Sequence, residues 1–235
     1  MTDHTGRIVL VTGASRGIGY ATAKQLAAAG AHVIAIARTQ GGLEDLDDDI
    51  KASGGQCTLV PMDLKDGDSI DRLGKALHDR FGKLDGLLLN AGQLGDITPL
   101  PHIKPADWDS VMSVNLTANY RLIRALDPLL RASDAGRVVA VTSSVAQSHR
   151  AYWGAYAVSK AGLEAMANIY AQETEIASVR VNIYDPGGTR TAMRAKAVPG
   201  EDASTLPDPS EHWSNLSKLL SSDFAETGTL LRFSC

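Results

Sequence analysis

"RIVLVTGASRGIGYATAKQLAAAG", residues 7–30, carries a strand, a turn and a helix in one line. The run from Ile8 to Val11 is continuously apolar, which suits a strand buried on both faces of a parallel sheet. The Ala/Leu-rich segment that follows closes on Gly30, a common helix stop. Between them lie Gly13, Gly17 and Gly19. Gly13 permits a tight turn, Gly17 lets backbone N–H groups approach a pyrophosphate, and Gly19 lets the helix pack close to the strand. The helix N-terminus then offers unpaired N–H donors and a positive dipole end to an anion. A glycine triplet between a strand and a helix is the context that gives this pattern its meaning.

The same alternation runs outward along the chain. Further apolar runs are "HVIAIAR", "CTLVPMD", "LDGLLLNAG", "RVVAVTSS", "VRVNIYDPG" and "TLLRF", separated by helical patterns such as "IDRLGKALHDRFG". Strand, helix, strand, repeated, predicts right-handed βαβ units. The expected fold is α/β: a doubly wound, Rossmann-like parallel sheet of about seven strands with helices on both faces, in three α/β/α layers. At 235 residues the chain fits a single dinucleotide-binding domain over 1–235. The stretch at about 193–213, including "AKAVPGEDASTLPDPSEHW", is rich in Pro, Asp and Ser. It predicts a loop or broken helix after the sixth strand, a lid-like position, with a plain surface insert as the alternative.

Bulk properties exclude several classes. The net charge is -4, from 23 Lys and Arg against 27 Asp and Glu, and no basic run exceeds two residues, which argues against a nucleic-acid partner. No apolar run approaches a membrane span, and "MTDHTGRIVLV" lacks a signal-peptide pattern. Cys57 and Cys235 form no disulfide framework, and the six histidines show no metal spacing, so no metal site is expected. The simplest compartment is a reducing one, the cytoplasm.

"AYAVSKAG", residues 155–162, places Tyr156 and Lys160 one helical turn apart on one face. A phenol titrates near pH 10 in water, and an adjacent ammonium lowers that value by stabilising the phenolate. "YATAK" repeats the spacing with Tyr20 and Lys24, so the pair alone decides nothing. Tyr156 differs because "VVAVTSS", an apolar strand ending in hydroxyl residues, precedes its helix. Tyr20 and Lys24 read as packing and surface charge.

With "TGASRGIG" matching TGxxxGIG from Thr12 to Gly19, the chain resembles the short-chain dehydrogenase/reductase family. That resemblance implies cofactor contacts from Gly13, Ser15, Arg16, Gly17, Ile18 and Gly19, from Asp63 and Leu64 of "PMDL", and from Asn90, Ala91 and Gly92 of "LLNAG". It adds Pro186, Gly187, Thr189 and Thr191 of "DPGGTRTAM", where Asp185 replaces a common Asn, and Tyr156 and Lys160 themselves. The end of the second strand reads "AIARTQ", with Arg38 and no acid to bind ribose hydroxyls. Arg16 and Arg38 could flank a 2′-phosphate, which favours NADP(H) over NAD(H). Ordinary surface charge is the alternative for both arginines.

The implied catalytic set is Ser, Tyr156, Lys160 and Asn115 of "SVNLTANY". The family's usual thirteen-residue spacing points to Ser143, whereas strand-end alignment of "SSVA" points to Ser144; Ser144 is preferred, because strands hold register better than loops hold length. The implied activity is NADP(H)-dependent interconversion of a small-molecule carbonyl and alcohol, with Tyr156 as acid/base. The alternative is a nucleotide-binding sensor or assembly protein without turnover. Relatives usually form homodimers or homotetramers, but many continue past the last strand, where this sequence ends "TGTLLRFSC". His149, Arg150 and Trp153 precede Tyr156 and are candidates for the substrate side, with a plain surface location as the alternative.

Overall fold

A computed structural model describes residues 2–234, so Met1 and Cys235, and the expectation placed on Cys235, lie outside the described residues. All seven apolar runs form strands: β1 (Ile8–Thr12), β2 (His32–Ala37), β3 (Gln56–Pro61), β4 (Gly86–Leu89), β5 (Arg137–Val141), β6 (Arg180–Asp185) and β7 (Leu230–Arg232). They pair in the order β3-β2-β1-β4-β5-β6-β7, every pairing parallel. Helices α1 (Gly17–Ala28), α2 (Gln40–Ala52) and α3 (Gly67–Phe81) follow the first three strands. Next come α4 (Pro105–Met112), α5 (Ala118–Arg131), α6 (Val145–Ser148), α7 (Gly154–Glu173), α8 (Ala192–Ala197) and α9 (Trp213–Leu220).

Alternation along the strands divides the core in two. Leu10, Ile34, Leu87, Val138 and Ala140 face one side with Ile70, Leu122, Leu126 and Leu163 of α3, α5 and α7. Val9, Val11, Val33, Ala35, Leu88 and Val139 face the other with Leu26, Leu43, Leu46 and Leu219 of α1, α2 and α9. Both faces are covered, which is why the strands read as unbroken apolar runs.

β1 lies between β2 and β4, so the chain reverses its direction of travel across the sheet at β1. Crevices at such reversals, beyond the carboxyl ends of the strands, are where open α/β sheets bind ligands. The two strands are tied there by Thr12: its hydroxyl donates to the Leu88 carbonyl at 3.1 Å and accepts from the Asn90 and Ala91 amides at 2.9 and 3.0 Å.

The stretch after β6 is α8 followed by short 3₁₀ turns at Ala203–Thr205 and Pro209–His212. Asp202 and Asp208 nucleate these turns by accepting from the Ser204 and Ser210 amides, and Asp208 forms a capping box with Glu211. Among the described residues no helix is long and apolar enough to cross a membrane.

Candidate active site

A cleft of about 840 Å³ opens at the carboxyl edge of the sheet. It is lined by the glycine loop, Arg38, Asp63, Leu64, residues 90–95, 141–145, Tyr156, Lys160 and residues 186–194. Every cofactor-contact residue expected from the sequence lines it except Gly19. Another depression, of about 920 Å³ and more open to solvent, lies at the amino edge among Arg7, Lys83, Asp85 and Asp223, remote from the glycine loop.

Gly19 acts from behind the cleft wall. A Cβ there would sit 2.4 Å from the Gly13 carbonyl oxygen and 2.5 Å from Asn90 Nδ2, so only glycine lets α1 approach β1 this closely. Gly13 itself adopts φ +69°, the left-handed region. The N-terminus of α1 carries no side-chain cap, which leaves its first amides free toward the cleft. Arg16 and Arg38 are exposed on the cleft rim, and neither has an ionic partner among the described residues. Free amides at a helix start and two unpaired guanidiniums fit a pyrophosphate with a further phosphate beside it. Asp63 accepts from the Lys65 amide at 3.0 Å, an Asx turn that shapes the wall next to Leu64.

On the other side of the cleft, α7 presents Tyr156 and Lys160, both buried. Lys160 Nζ donates to the Val141 carbonyl at 2.7 Å and lies 5.8 Å from the Tyr156 ring centroid. The two side chains do meet, yet the expected acidification of the phenol is absent from the protein by itself. Burial pushes Tyr156 up to about 12, the neighbouring Ser143 hydroxyl opposing this and the Asp185 charge adding to it. Burial also pushes Lys160 down to about 8, with Glu164 opposing. Desolvation disfavours both charged forms and is the largest cause at each.

Of the two serines, Ser143 is half-buried, and its hydroxyl acts on the Tyr156 phenol in the sense that opposes burial. Ser144, preferred from the sequence, is exposed and initiates α6. The reason is local: β5 ends at Val141, before both serines, so strand alternation no longer governs where they point. Both serines line the cleft. Thr142, between them and β5, is anchored by donating to Glu164 at 2.6 Å.

Asn115 is fully buried within a π-helical turn, Ser113–Thr117, that interrupts the run from α4 to α5. Such turns re-aim side chains and recur at functional sites. Asn115 Oδ1 accepts from the Gln93 amide at 2.7 Å; its Nδ2 donates to the Gln93 carbonyl at 2.9 Å and to Ser159 Oγ at 3.0 Å. Ser159 in turn donates to the Tyr156 carbonyl at 2.7 Å. Asn115 thus locks the first turns of α7 to the strand-end loop.

Tyr20 and Lys24 form no comparable site. The Tyr20 hydroxyl and Lys24 Nζ each lie 2.8 Å from Asp49 Oδ2 on α2, and Tyr20 is pushed up to about 12 by burial and by that carboxylate. They staple two helices.

An apolar patch of Leu94, Val145 and Trp153 surrounds Tyr156, backed by Met193, Ala197 and Val198 after β6. Of the loop candidates, Arg150 and Trp153 line the cleft, Arg150 stacking over the indole at 5.9 Å, while His149 does not. Leu94 and Met193 on this wall were not singled out in the sequence, because an isolated apolar residue after a strand carries no distinguishing pattern.

Comparison with known proteins follows this geometry. Residues 7–202 match the short chain dehydrogenase family. The uncharacterized oxidoreductase YciK of Escherichia coli (strain K12) is 42% identical over 208 residues, 87% of this chain and 82% of that protein. A 3-oxoacyl-acyl-carrier-protein reductase of Synechocystis sp. is 34% identical over 194 residues, 82% of this chain and 78% of that protein. A short chain dehydrogenase from Escherichia coli CFT073, crystallised as a complex with NADPH, superposes with a TM-score of 0.92 at 39% identity, covering 97% of this chain and 96% of that one. The chain therefore belongs to the short-chain dehydrogenase family of oxidoreductases.

Proposed function

We propose that the protein is an NADP(H)-dependent oxidoreductase that interconverts a small-molecule carbonyl and its alcohol, with Tyr156 as the acid/base. The observation that carries this reading is the buried phenol of Tyr156 held between Ser143 and Lys160 at the sheet's switch-point cleft. When bound, the cofactor supplies or accepts a hydride at the nicotinamide ring. The glycine loop and the free amides of α1 hold its pyrophosphate, and Arg16 and Arg38 hold the 2′-phosphate. The NADPH complex of the Escherichia coli CFT073 relative supports this choice of cofactor.

In the reducing direction Ser143 donates a hydrogen bond to the carbonyl oxygen and Tyr156 transfers its proton there as negative charge develops. A phenol held at about 12 arrives fully protonated at neutral pH, and the alkoxide it serves is the stronger base, so transfer runs downhill. Lys160, mostly charged at pH 7 with a value of about 8, stabilises the phenolate left behind. In the oxidising direction the same phenolate must form first, so the oxidation rate rises with pH. Asn115 holds α7 and the residue 93 loop in register for that exchange. The apolar wall of Leu94, Val145, Trp153 and Met193 excludes water around the reacting oxygen. Exposed Tyr120, Val158 and Ile169 on α5 and α7 support association of copies through those helices.

The test is a panel of ketones, aldehydes and 3-oxoacyl thioesters, with consumption of NADPH and of NADH followed by nicotinamide absorbance. Turnover with NADPH at least tenfold above that with NADH is the expected outcome. Tight NADPH binding with silence across the panel would make the chain a nucleotide-binding sensor instead.

A further inference from the structure

Behind the loop of residues 186–191 sits a histidine that the mechanism above does not use. His212 ends the turn leading into α9 and is fully buried. Its Nδ1 lies 2.7 Å from the Tyr184 hydroxyl on β6, and its Nε2 lies 2.9 Å from Thr189 Oγ1. The Phe233 ring packs edge-on against it at 4.5 Å. Burial holds the imidazole neutral, pushing it down to about 4, so one ring nitrogen donates and the other accepts.

The phenol decides which does which. A phenol O–H is a stronger donor than a neutral imidazole N–H, and His212 Nδ1 is its hydrogen-bond partner. The phenol's own proton then goes to His212 Nδ1, and Nε2–H donates to Thr189 Oγ1. Thr189 is left with its hydroxyl hydrogen to offer, and its contact within the loop is the long one of 3.4 Å to the Pro186 carbonyl. Thr189 lines the cleft. The loop's other ties to the residue 207–212 segment are the Arg190 amide on the Pro207 carbonyl at 3.0 Å and the exposed Arg190–Asp208 pair at 2.9 Å. Exposed pairs of that kind hold little.

We propose that His212 is a positioning residue for the cofactor: the relay Tyr184 to His212 to Thr189 holds the 186–191 loop in its binding shape and presents Thr189 to the cleft as a hydrogen-bond donor. The relay couples β6, the cofactor loop and the start of α9 through one ring, and it rests on the reading of the cleft as an NADP(H) site.

The experiment measures NADP⁺ affinity of the full chain by calorimetry, together with amide hydrogen exchange over 186–191 in the protein without nucleotide. His212→Phe keeps a ring against Phe233 and removes both hydrogen bonds. It should weaken NADP⁺ binding roughly tenfold, the scale of one well-placed hydrogen bond, and speed exchange in the loop. His212→Gln, whose amide reaches where Nε2 lies, should restore affinity to within about threefold of wild type. Thr189→Val changes almost no volume, so it reports even where His212→Phe fails to fold; it should match the His212→Phe loss, and adding Thr189→Val to His212→Phe should cost nothing more. Binding within twofold of wild type in Thr189→Val, or equal loop exchange in a folded His212→Phe, would overturn the relay. Wild-type protein that binds no NADP⁺ would overturn the reading of the cleft instead, while loop exchange still tests the relay.

Discussion

At the residue scale, the site turns on how burial and neighbouring groups set one phenol. The half-buried Ser143 acts on the Tyr156 phenol whereas Ser144 is exposed, so the two serines separate cleanly by experiment. Ser143→Ala should lower kcat about 10²-fold, the usual effect of removing one donor to a developing oxyanion, and Ser144→Ala should stay within threefold. Steady-state kinetics of both variants check this. Asp185 adds negative potential that pushes Tyr156 up. Asp185→Asn keeps an oxygen for the Gly187 amide, now at 3.0 Å, while removing the charge. Phenolate then forms at lower pH, so the pH profile of alcohol oxidation should move to lower pH and the rate on its rising limb should climb several-fold. An unmoved profile would separate Asp185 from the proton transfer. The Tyr156–Lys160 pair was legible from its spacing, but the sign of the net effect on Tyr156 was not. Spacing reports proximity and says nothing of desolvation, which depends on Leu94, Trp153 and α7 closing over the ring.

At the element scale, continuous apolar runs located every strand, since burial on both faces leaves no alternation to misread. What escaped was where elements stop. β5 ends at Val141 although "TSS" continues its β-prone composition, so strand register does not extend to Ser143 and Ser144. The π turn at Asn115 was equally invisible, because "SVNLTANY" is consistent with an uninterrupted helix. After β6 the Pro-rich stretch was read as loop or broken helix; the structure fills it with α8 and short turns, one of them capped by Asp208 and Glu211. Packing of α1 on β1 depends on Gly19. Gly19→Ala places a methyl against the Gly13 carbonyl, a backbone atom unable to rotate aside. The variant should lose about 1–3 kcal/mol of stability and most nucleotide affinity, read from the urea midpoint and from NADP⁺ titration. A wild-type midpoint with intact binding would mean the helix relaxes without consequence.

At the scale of the whole molecule, two buried histidines join distant parts of the chain. His4 packs on Trp213 with its Nε2 2.9 Å from Ser217 Oγ, tying the N-terminal segment to α9, and His212 ties α9 to β6. Burial pushes both down to about 4. Above about pH 6.5 each ring is neutral whether folded or unfolded. Between there and about pH 4 the unfolded chain takes up the proton and the folded chain does not, so stability falls as pH falls. The loss is on the order of 3 kcal/mol per histidine at completion. Denaturation midpoints at pH 7.5 and pH 5 should differ accordingly, and His212→Gln should shrink the difference; equal midpoints would place both rings in water. The fold brings cofactor loop, phenol and ammonium to one edge of the sheet, and the central claim is that this edge performs proton transfer through Tyr156. The most direct measurement is carbonyl reduction by Tyr156→Phe beside its NADPH affinity. Turnover should fall at least 10³-fold while affinity stays within a few-fold of wild type. A phenylalanine variant that still reduces its substrate at near wild-type rate would contradict it.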